Sequence, residues 1–182
     1  MSTALLLVDI QNDYFSNGAM ELEGSEAAGR KAGKLLKQFR QNNLPVIHIQ
    51  HVANRPNATF FLPDTEGVKI HSSVYPLPDE IIFKKHYPSS FRDTPLLSYL
   101  QKNNINELVI AGMMTHMCID TTTRAAFDLG FKCYLAHDAC ATKSLTFDGQ
   151  HITAAHVQLA YLAALNGLFA QVESTDVICS RF

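Results

Sequence analysis

The chain has 182 residues, 47% of them hydrophobic and 18% charged, with a formal net charge of −2. This length predicts a single domain, residues 1–182, because domains commonly run to about 100–200 residues. The apolar runs are far shorter than the ~18 residues that a membrane helix requires, which argues against a membrane protein. Basic residues are scattered and form no patch for nucleic acid, so a small molecule is the expected partner.

The amino-terminal segment has no basic region before its short apolar run, and Asp9 directly follows that run. It therefore predicts a buried strand instead of a signal peptide, and a cytoplasmic protein. The four cysteines form no CxxC pair, so reduced thiols are expected.

Short apolar runs alternate along the chain with longer amphipathic stretches. The predicted strands are residues 4–8, 46–50, 81–84, 108–112, 131–136 and 176–178. Runs that are apolar at consecutive positions indicate strands buried on both faces, as in a parallel sheet. Helical spacing predicts helices over residues 26–42, 95–103, 117–129 and 152–170. The pattern predicts an α/β fold: a three-layer α/β/α arrangement with a Rossmann-like, mostly parallel sheet and right-handed crossovers.

One segment does not fit this alternation. Residues 52–80 are rich in Pro, Asn, Asp and Gly, and structureless loops longer than about 12–15 residues are commonly functional. We expect this segment to shape a pocket; the alternative is a solvated excursion.

Two charged residues follow predicted strands. Asp9 comes after the first, and Lys85 comes after the third. Ligands of open α/β sheets bind at the carboxyl ends of the strands, so both are site candidates. On spacing alone, however, a buried salt bridge without a catalytic role is the favoured interpretation, since an isolated buried charge is costly.

Cys118 changes that balance. It lies in the first turn of a predicted helix directly after the strand 108–112, where the helix terminus and a nearby lysine favour the thiolate. We therefore expect it to titrate well below the ~8.5 of an ordinary thiol. A lone buried cysteine is more often inert. Together, however, the three residues can each take one role in a hydrolytic reaction: Cys118 attacks a carbonyl, Asp9 is the base and Lys85 is the charge partner.

Three motifs at these positions resemble the isochorismatase-like cysteine hydrolases, a superfamily that includes nicotinamidases and N-carbamoylsarcosine amidohydrolases. They are LLLVDIQNDYF at 5–15, KHYPSSF at 85–91 and AGMMTHMCIDTTTRAAFDLGF at 111–131. The second is similar to a K-x-x-x-S-A-F signature, which selects Lys85 over Lys84, with Ser90 in place of the usual alanine. The resemblance spans nearly the whole chain.

The resemblance implies a six-stranded sheet and a non-proline cis peptide between Met113 and Met114. It also implies an oxyanion hole formed by the backbone N–H groups of Met114 and Cys118, and a homodimer or homotetramer. Because isochorismatases that cleave a vinyl ether lack the cysteine, it favours hydrolysis of an amide, ureido or similar C–N bond. No cofactor is required.

Two alternatives remain: a metal-assisted nicotinamidase-type enzyme and a catalytically silent binding or scaffold protein. Nicotinamidases often carry a metal site with an Asp-x-His pair after the second strand, and here His48 and His51 stand three apart instead, on opposite faces of a strand. No metal site is therefore expected. Phe15, Tyr87 and Phe91 are candidate pocket residues, although core packing explains them nearly as well.

Overall fold

The computed structural model describes residues 2–182 and contains eight strands and five α-helices in that range. The strands are β1 (Ser2–Val8), β2 (Val46–His51), β3 (Ile81–Lys85), β4 (Ile105–Met113), β5 (Lys132–Ala141), β6 (Leu145–Phe147), β7 (Gln150–Ile152) and β8 (Gln171–Glu173). The helices are α1 (Ser25–Gln41), α2 (Leu96–Lys102), α3 (Asp120–Asp128), α4 (Ala154–Leu165) and α5 (Thr175–Cys179). Two short 3-10 helices, Asn12–Tyr14 and Ser72–Val74, lie in the connections.

Six strands form one sheet in the order β3-β2-β1-β4-β5-β8, and each neighbouring pair in it is parallel. Alternate residues of β1 face opposite sides. Leu5 and Leu7 pack in a cluster with α1, whereas Leu6 and Val8 pack in a second cluster with α2, α3 and α4. Both faces are therefore covered, which explains the continuous apolar runs. The predicted three-layer α/β fold is confirmed.

The predicted sixth strand, residues 176–178, is wrong. Those residues lie in α5, because the Ser174 side chain caps that helix by accepting a hydrogen bond from the N–H of Val177. The edge strand is β8 instead, three residues with two polar side chains that give no apolar run. The predicted helix over 152–170 is too long at both ends, because Thr153 caps α4 and Gly167 turns the chain with φ of 92°.

Helix α4 carries no charged residue and exposes part of its apolar surface. Leu159 is 67% exposed, and Leu168 just beyond the helix is 65% exposed. Exposed apolar surface of this kind is typical of interfaces. The homodimer or homotetramer stays a prediction that light scattering in solution would measure. Among residues 2–182, no helix combines the length and apolarity needed to cross a membrane.

The end of the 52–80 segment is fixed by a partly buried carboxylate. Glu80 accepts two hydrogen bonds from Arg40 at 2.7 Å each and one from the N–H of Leu77, and it lies 2.9 Å from His48 Nε2. Burial by itself raises the pKa of Glu80, but these partners outweigh burial and lower that pKa to about 2. Glu80 thus links α1, β2 and the end of the segment.

We expect Glu80→Gln to lower the free energy of unfolding at pH 7 by about 2–3 kcal/mol. Because the folded pKa lies below the ordinary value, this stabilisation is present above about pH 4.5 and is lost as the pH falls toward 2. Urea unfolding at pH 7, 4 and 2 measures it. The control is Glu66→Gln, which breaks an exposed pair with Lys69 and should have little effect. An equal loss for Glu80→Gln at all three pH values would contradict the assignment.

Candidate active site

Four adjacent strands each bring one chemically active side chain to the carboxyl edge of the sheet. Asp9 follows β1, His51 ends β2, Lys85 ends β3 and Cys118 follows β4. The sheet order places these strands side by side. A carboxylate oxygen of Asp9, a ring nitrogen of His51 and the sulfur of Cys118 all lie within 4.8 Å of one another. The three residues proposed from the sequence are therefore close in space.

Asp9 and Lys85 form a fully buried ion pair. Lys85 Nζ lies 2.8 Å from Asp9 Oδ2, but the orientation of the two groups is not that of a hydrogen bond. Burial alone would raise the pKa of Asp9, but Lys85 and then His51 outweigh it and leave that pKa below its ordinary value. Burial alone would lower the pKa of Lys85, but Asp9 and Cys118 raise it. Both groups are therefore charged at neutral pH.

Lys85 also has hydrogen-bond partners, in addition to its ion pair with Asp9. It donates to the carbonyl oxygens of Tyr87 at 3.0 Å and Pro88 at 3.1 Å, and it lies 3.3 Å from His51 Nδ1. These contacts satisfy an ammonium that is 1% exposed, whereas the neighbouring Lys84 is exposed. The charge of Lys85 is therefore held in one place beside Asp9.

Cys118 lies in a π-helical turn, Thr115–Ile119, that leads into α3. The sulfur is buried, and this burial together with the negative charge of Asp9 raises the pKa of the thiol, although Lys85 opposes the shift. This direction is opposite to the shift expected from the helix terminus and the nearby lysine. A protonated thiol beside an ionised carboxylate is an arrangement in which the carboxylate can act as the base.

Sequence reasoning missed His51 as a member of this site. Its Nδ1 lies 3.7 Å from Asp9 Oδ2 and faces Lys85, and its ring lines the cavity described below. His48 points away, toward Glu80. His51 is paired with Lys85 across β2 and β3, so the register of these two strands, had it been predicted, would have indicated His51.

The donor atoms of Asp9, His51 and Cys118 are close enough to suggest a metal site, but they do not fit one. Lys85 lies against all three: 2.8 Å from Asp9, 3.3 Å from His51 and within hydrogen-bonding reach of Cys118. A metal ion bound by these atoms would meet the ammonium at short range and be repelled. Lys85 is thus the cation of this site.

Gly112 allows β4 to approach β1 closely just before the turn that carries Cys118. A Cβ at this position would lie 1.9 Å from the carbonyl oxygen of Val8, and the residue has φ of 139°. Only glycine accommodates both conditions. The following Met113–Met114 peptide bond is cis. The chain thereby passes from the end of β4 to Cys118 directly beside Asp9.

The 52–80 segment is held against the strand ends by the three residues Gln11, Asn12 and Asp13. Gln11 donates to the Val68 carbonyl at 2.7 Å and exchanges two hydrogen bonds with the His51 backbone, and Asn12 donates to a carbonyl at position 66. Asp13 accepts from the N–H of Phe61 at 2.6 Å. These contacts all use main-chain atoms of their partners.

A cavity of about 190 Å³ opens over Cys118. Segment residues form much of its wall, as expected, including Asn54, Arg55, Phe60 and Phe61. The remaining lining comes from Tyr14, His51, Ala53, Ala58, His86, Tyr87, Pro88, Met114 and Met117. Tyr87 and both residues of the predicted oxyanion hole, Met114 and Cys118, thus border the cavity.

Phe15 and Phe91 do not line this cavity, so their prediction as pocket residues is wrong. Phe15 stacks on His71 with ring centroids 3.5 Å apart, beneath α1. Phe91 packs near Phe131 on the opposite face of the sheet. Both are explained by core packing, the alternative noted for them, because the turns after β1 and β3 direct them away from the strand ends.

Ser90, the departure from the usual alanine, has a local explanation. It is fully buried, and its hydroxyl lies 2.9 Å from Thr122 Oγ1, to which its backbone N–H also donates. Thr122 is in α3, one turn beyond Cys118. The substitution therefore adds a hydrogen bond between the loop after Lys85 and the helix that follows Cys118.

Comparisons with known proteins place this architecture in a family. The family model described as "Isochorismatase domain" matches residues 3–175. The isochorismatase family protein YddQ of Bacillus subtilis is 49% identical over 176 residues, which cover 97% of this chain and 98% of that protein. Nicotinamidase 3 of Arabidopsis thaliana is 30% identical over 152 residues, covering 76% of this chain and 73% of the relative.

Solved structures agree. A structure from Oleispira antarctica, assigned to the isochorismatase hydrolases, superposes with a TM-score of 0.95 at 49% sequence identity, covering 98% of this chain and 96% of that one. The match therefore extends over the sheet, the helices and the segment that walls the cavity. The chain belongs to the isochorismatase family of hydrolases.

Proposed function

We propose that the protein is a cysteine hydrolase that cleaves an amide, ureido or similar C–N bond of a small molecule through a Cys118 acyl-enzyme. The observation that carries this proposal is the convergence of Asp9, Lys85 and Cys118 at one end of a cavity. Further support comes from the relative named a nicotinamidase, whose name identifies an amide substrate.

Acylation begins when the Cys118 thiol transfers its proton to Asp9 while the sulfur attacks the carbonyl carbon. The resulting oxyanion accepts hydrogen bonds from the N–H groups of Met114 and Cys118. The C–N bond then breaks, the nitrogen leaves with the proton held on Asp9, and a thioester remains.

Deacylation uses the same groups. Asp9 takes a proton from water as the hydroxide attacks the thioester carbonyl, and the C–S bond breaks to release the acid and restore the thiol with that proton. Lys85 keeps Asp9 ionised between proton transfers, because its charge lies 2.8 Å from the carboxylate. Asp9 therefore passes on one proton in each half-reaction, first from the thiol to the leaving nitrogen and then from water to the sulfur of Cys118.

A screen of small amides, ureido acids and nicotinamide for ammonia release tests this function, with Cys118→Ala as the matched control. We expect wild-type protein to release ammonia from at least one compound and Cys118→Ala to release none. Equal hydrolysis by both would rule out the acyl-enzyme. Loss of activity with a chelator would favour the metal-assisted alternative, and a folded, inactive wild type would favour the scaffold.

A further inference from the structure

The cavity over Cys118 has an electropositive lining in a chain that is slightly acidic overall. None of its lining residues, all within the described range 2–182, is Asp or Glu, although the chain has 17 acidic residues against 15 Lys and Arg. The lining includes Arg55 and the imidazoles of His51 and His86. The nearby Asp9 is neutralised by Lys85. The cavity thus offers a cation without a competing carboxylate.

Arg55 is the one Lys or Arg side chain in this lining. Elsewhere Arg40, Arg124 and Arg181 each pair with a carboxylate. In the part of the chain that the structure describes, Arg55 forms no ion pair or side-chain hydrogen bond. Burial raises the pKa of Tyr14, and the positive charge of Arg55 partly opposes that rise, so the charge acts on a residue of the same cavity. Its guanidinium is therefore available to a ligand.

The two ends of the cavity differ. Arg55 is exposed and marks the solvent side, whereas Cys118 is 4% exposed and marks the buried side. Tyr14, Phe60 and Phe61 also line the cavity, and their ring centroids lie 4.6 to 5.8 Å apart in a contiguous aromatic wall. The volume of about 190 Å³ is below the ~300–1,000 Å³ of pockets for drug-sized ligands. A small compound can therefore contact both ends.

We propose that the substrate is a small amide or ureido compound with a carboxylate of its own, which Arg55 binds while the scissile carbonyl faces Cys118. The planar guanidinium fork matches a carboxylate, and such hydrogen bonds are among the stronger ones in proteins. The aromatic wall then contacts the short apolar or unsaturated part of the substrate. This proposal rests on the proposed function, since it concerns the same site.

Matched substrate pairs test it. Each pair consists of an amido or ureido acid and its neutral methyl ester, assayed with wild-type protein and with Arg55→Gln, Arg55→Lys and Arg30→Gln. We expect wild type to prefer the acid in kcat/KM on the order of 10–100-fold. Arg55→Gln should lose this preference mainly through KM, and Arg55→Lys should keep part of it. Arg30 is an arginine of α1 that does not line the cavity, so Arg30→Gln should behave as wild type.

Binding to the Cys118→Ala protein separates this proposal from the proposed function. Calorimetry with the same pairs requires no turnover, and the acid should bind more tightly than the ester unless Arg55 is also replaced by Gln. Hydrolysis of neutral amides with no preference for acids would overturn the role of Arg55 while leaving the hydrolase intact. Preferential binding of acids through Arg55 without any hydrolysis would contradict the hydrolase and leave the binding site standing.

Discussion

The Asp9→Asn protein should lose about 10²–10⁴-fold in turnover and gain a more acidic Cys118 thiol. The amide cannot accept the thiol proton, which removes the base. The same change removes the negative charge that helps to raise the pKa of Cys118 and leaves Lys85, which lowers it. Asparagine also tolerates the left-handed conformation of Asp9, with φ of 52°, so the change adds no backbone strain at this position.

Steady-state assays and the pH dependence of thiolate absorbance measure these two effects. Cys118→Ala supplies the background for the absorbance, since Cys133 and Cys140 are buried with pKa values raised to about 12. The diagnostic result is a slower turnover together with a more acidic Cys118 thiol. Asp9→Asn protein that hydrolyses substrate at the wild-type rate would refute Asp9 as the base, and a less acidic thiol would refute the electrostatic account.

Lys85→Met should lower the free energy of unfolding at pH 7 by about 3–5 kcal/mol, because it leaves the buried Asp9 carboxylate without its cation. The double variant Asp9→Asn/Lys85→Met should recover much of that loss, since it buries no charge. Chemical unfolding of the wild type, both single variants and the double variant gives the coupling between the two residues.

The pH dependence has a defined sign. In the wild type the pKa of Asp9 is lowered, so the pair stabilises the fold above the ordinary aspartate pKa, and that contribution is lost as the pH falls through the lowered value. In Lys85→Met protein, burial raises the pKa of Asp9. The difference in unfolding free energy between this variant and the wild type should therefore become smaller as the pH falls. A double variant as unstable as Lys85→Met, or a deficit independent of pH, would contradict this account.

Five of the six predicted strands match strands of the sheet, and in β1, β2, β4 and β5 the continuous apolar run reflects burial on both faces. The edge strand β3 before Lys85 has an apolar run although Ile82 is exposed. The parallel arrangement that these runs indicate brings the carboxyl ends of the strands to one edge. The edge strand β8 is half solvated and has no such run, while residues 176–178 became helical through the Ser174 cap. Apolar composition alone could not distinguish these two cases.

The convergence of Asp9, Lys85 and Cys118 was predictable from the sequence, but their protonation and their neighbours were not. Cys118 was expected as a thiolate from its place in a helix first turn, yet the depth of its burial and its contact with Asp9 depend on the π turn and on how closely β4 approaches β1 at Gly112. His51 required the strand register. To predict where the side chains of Phe15 and Phe91 lie, one must know their direction after the turns, which sequence spacing does not give.

The hydrogen bonds that Gln11, Asn12 and Asp13 make to the 52–80 segment have an evolutionary consequence. They hold the segment by its peptide groups at positions 61, 66 and 68 and do not depend on the side chains there. The side chains that line the cavity, such as Arg55 and Phe60, can therefore be exchanged without loosening the attachment. New substrate preferences can arise in this scaffold by changing one stretch of chain, while the reacting groups on the strands stay as they are.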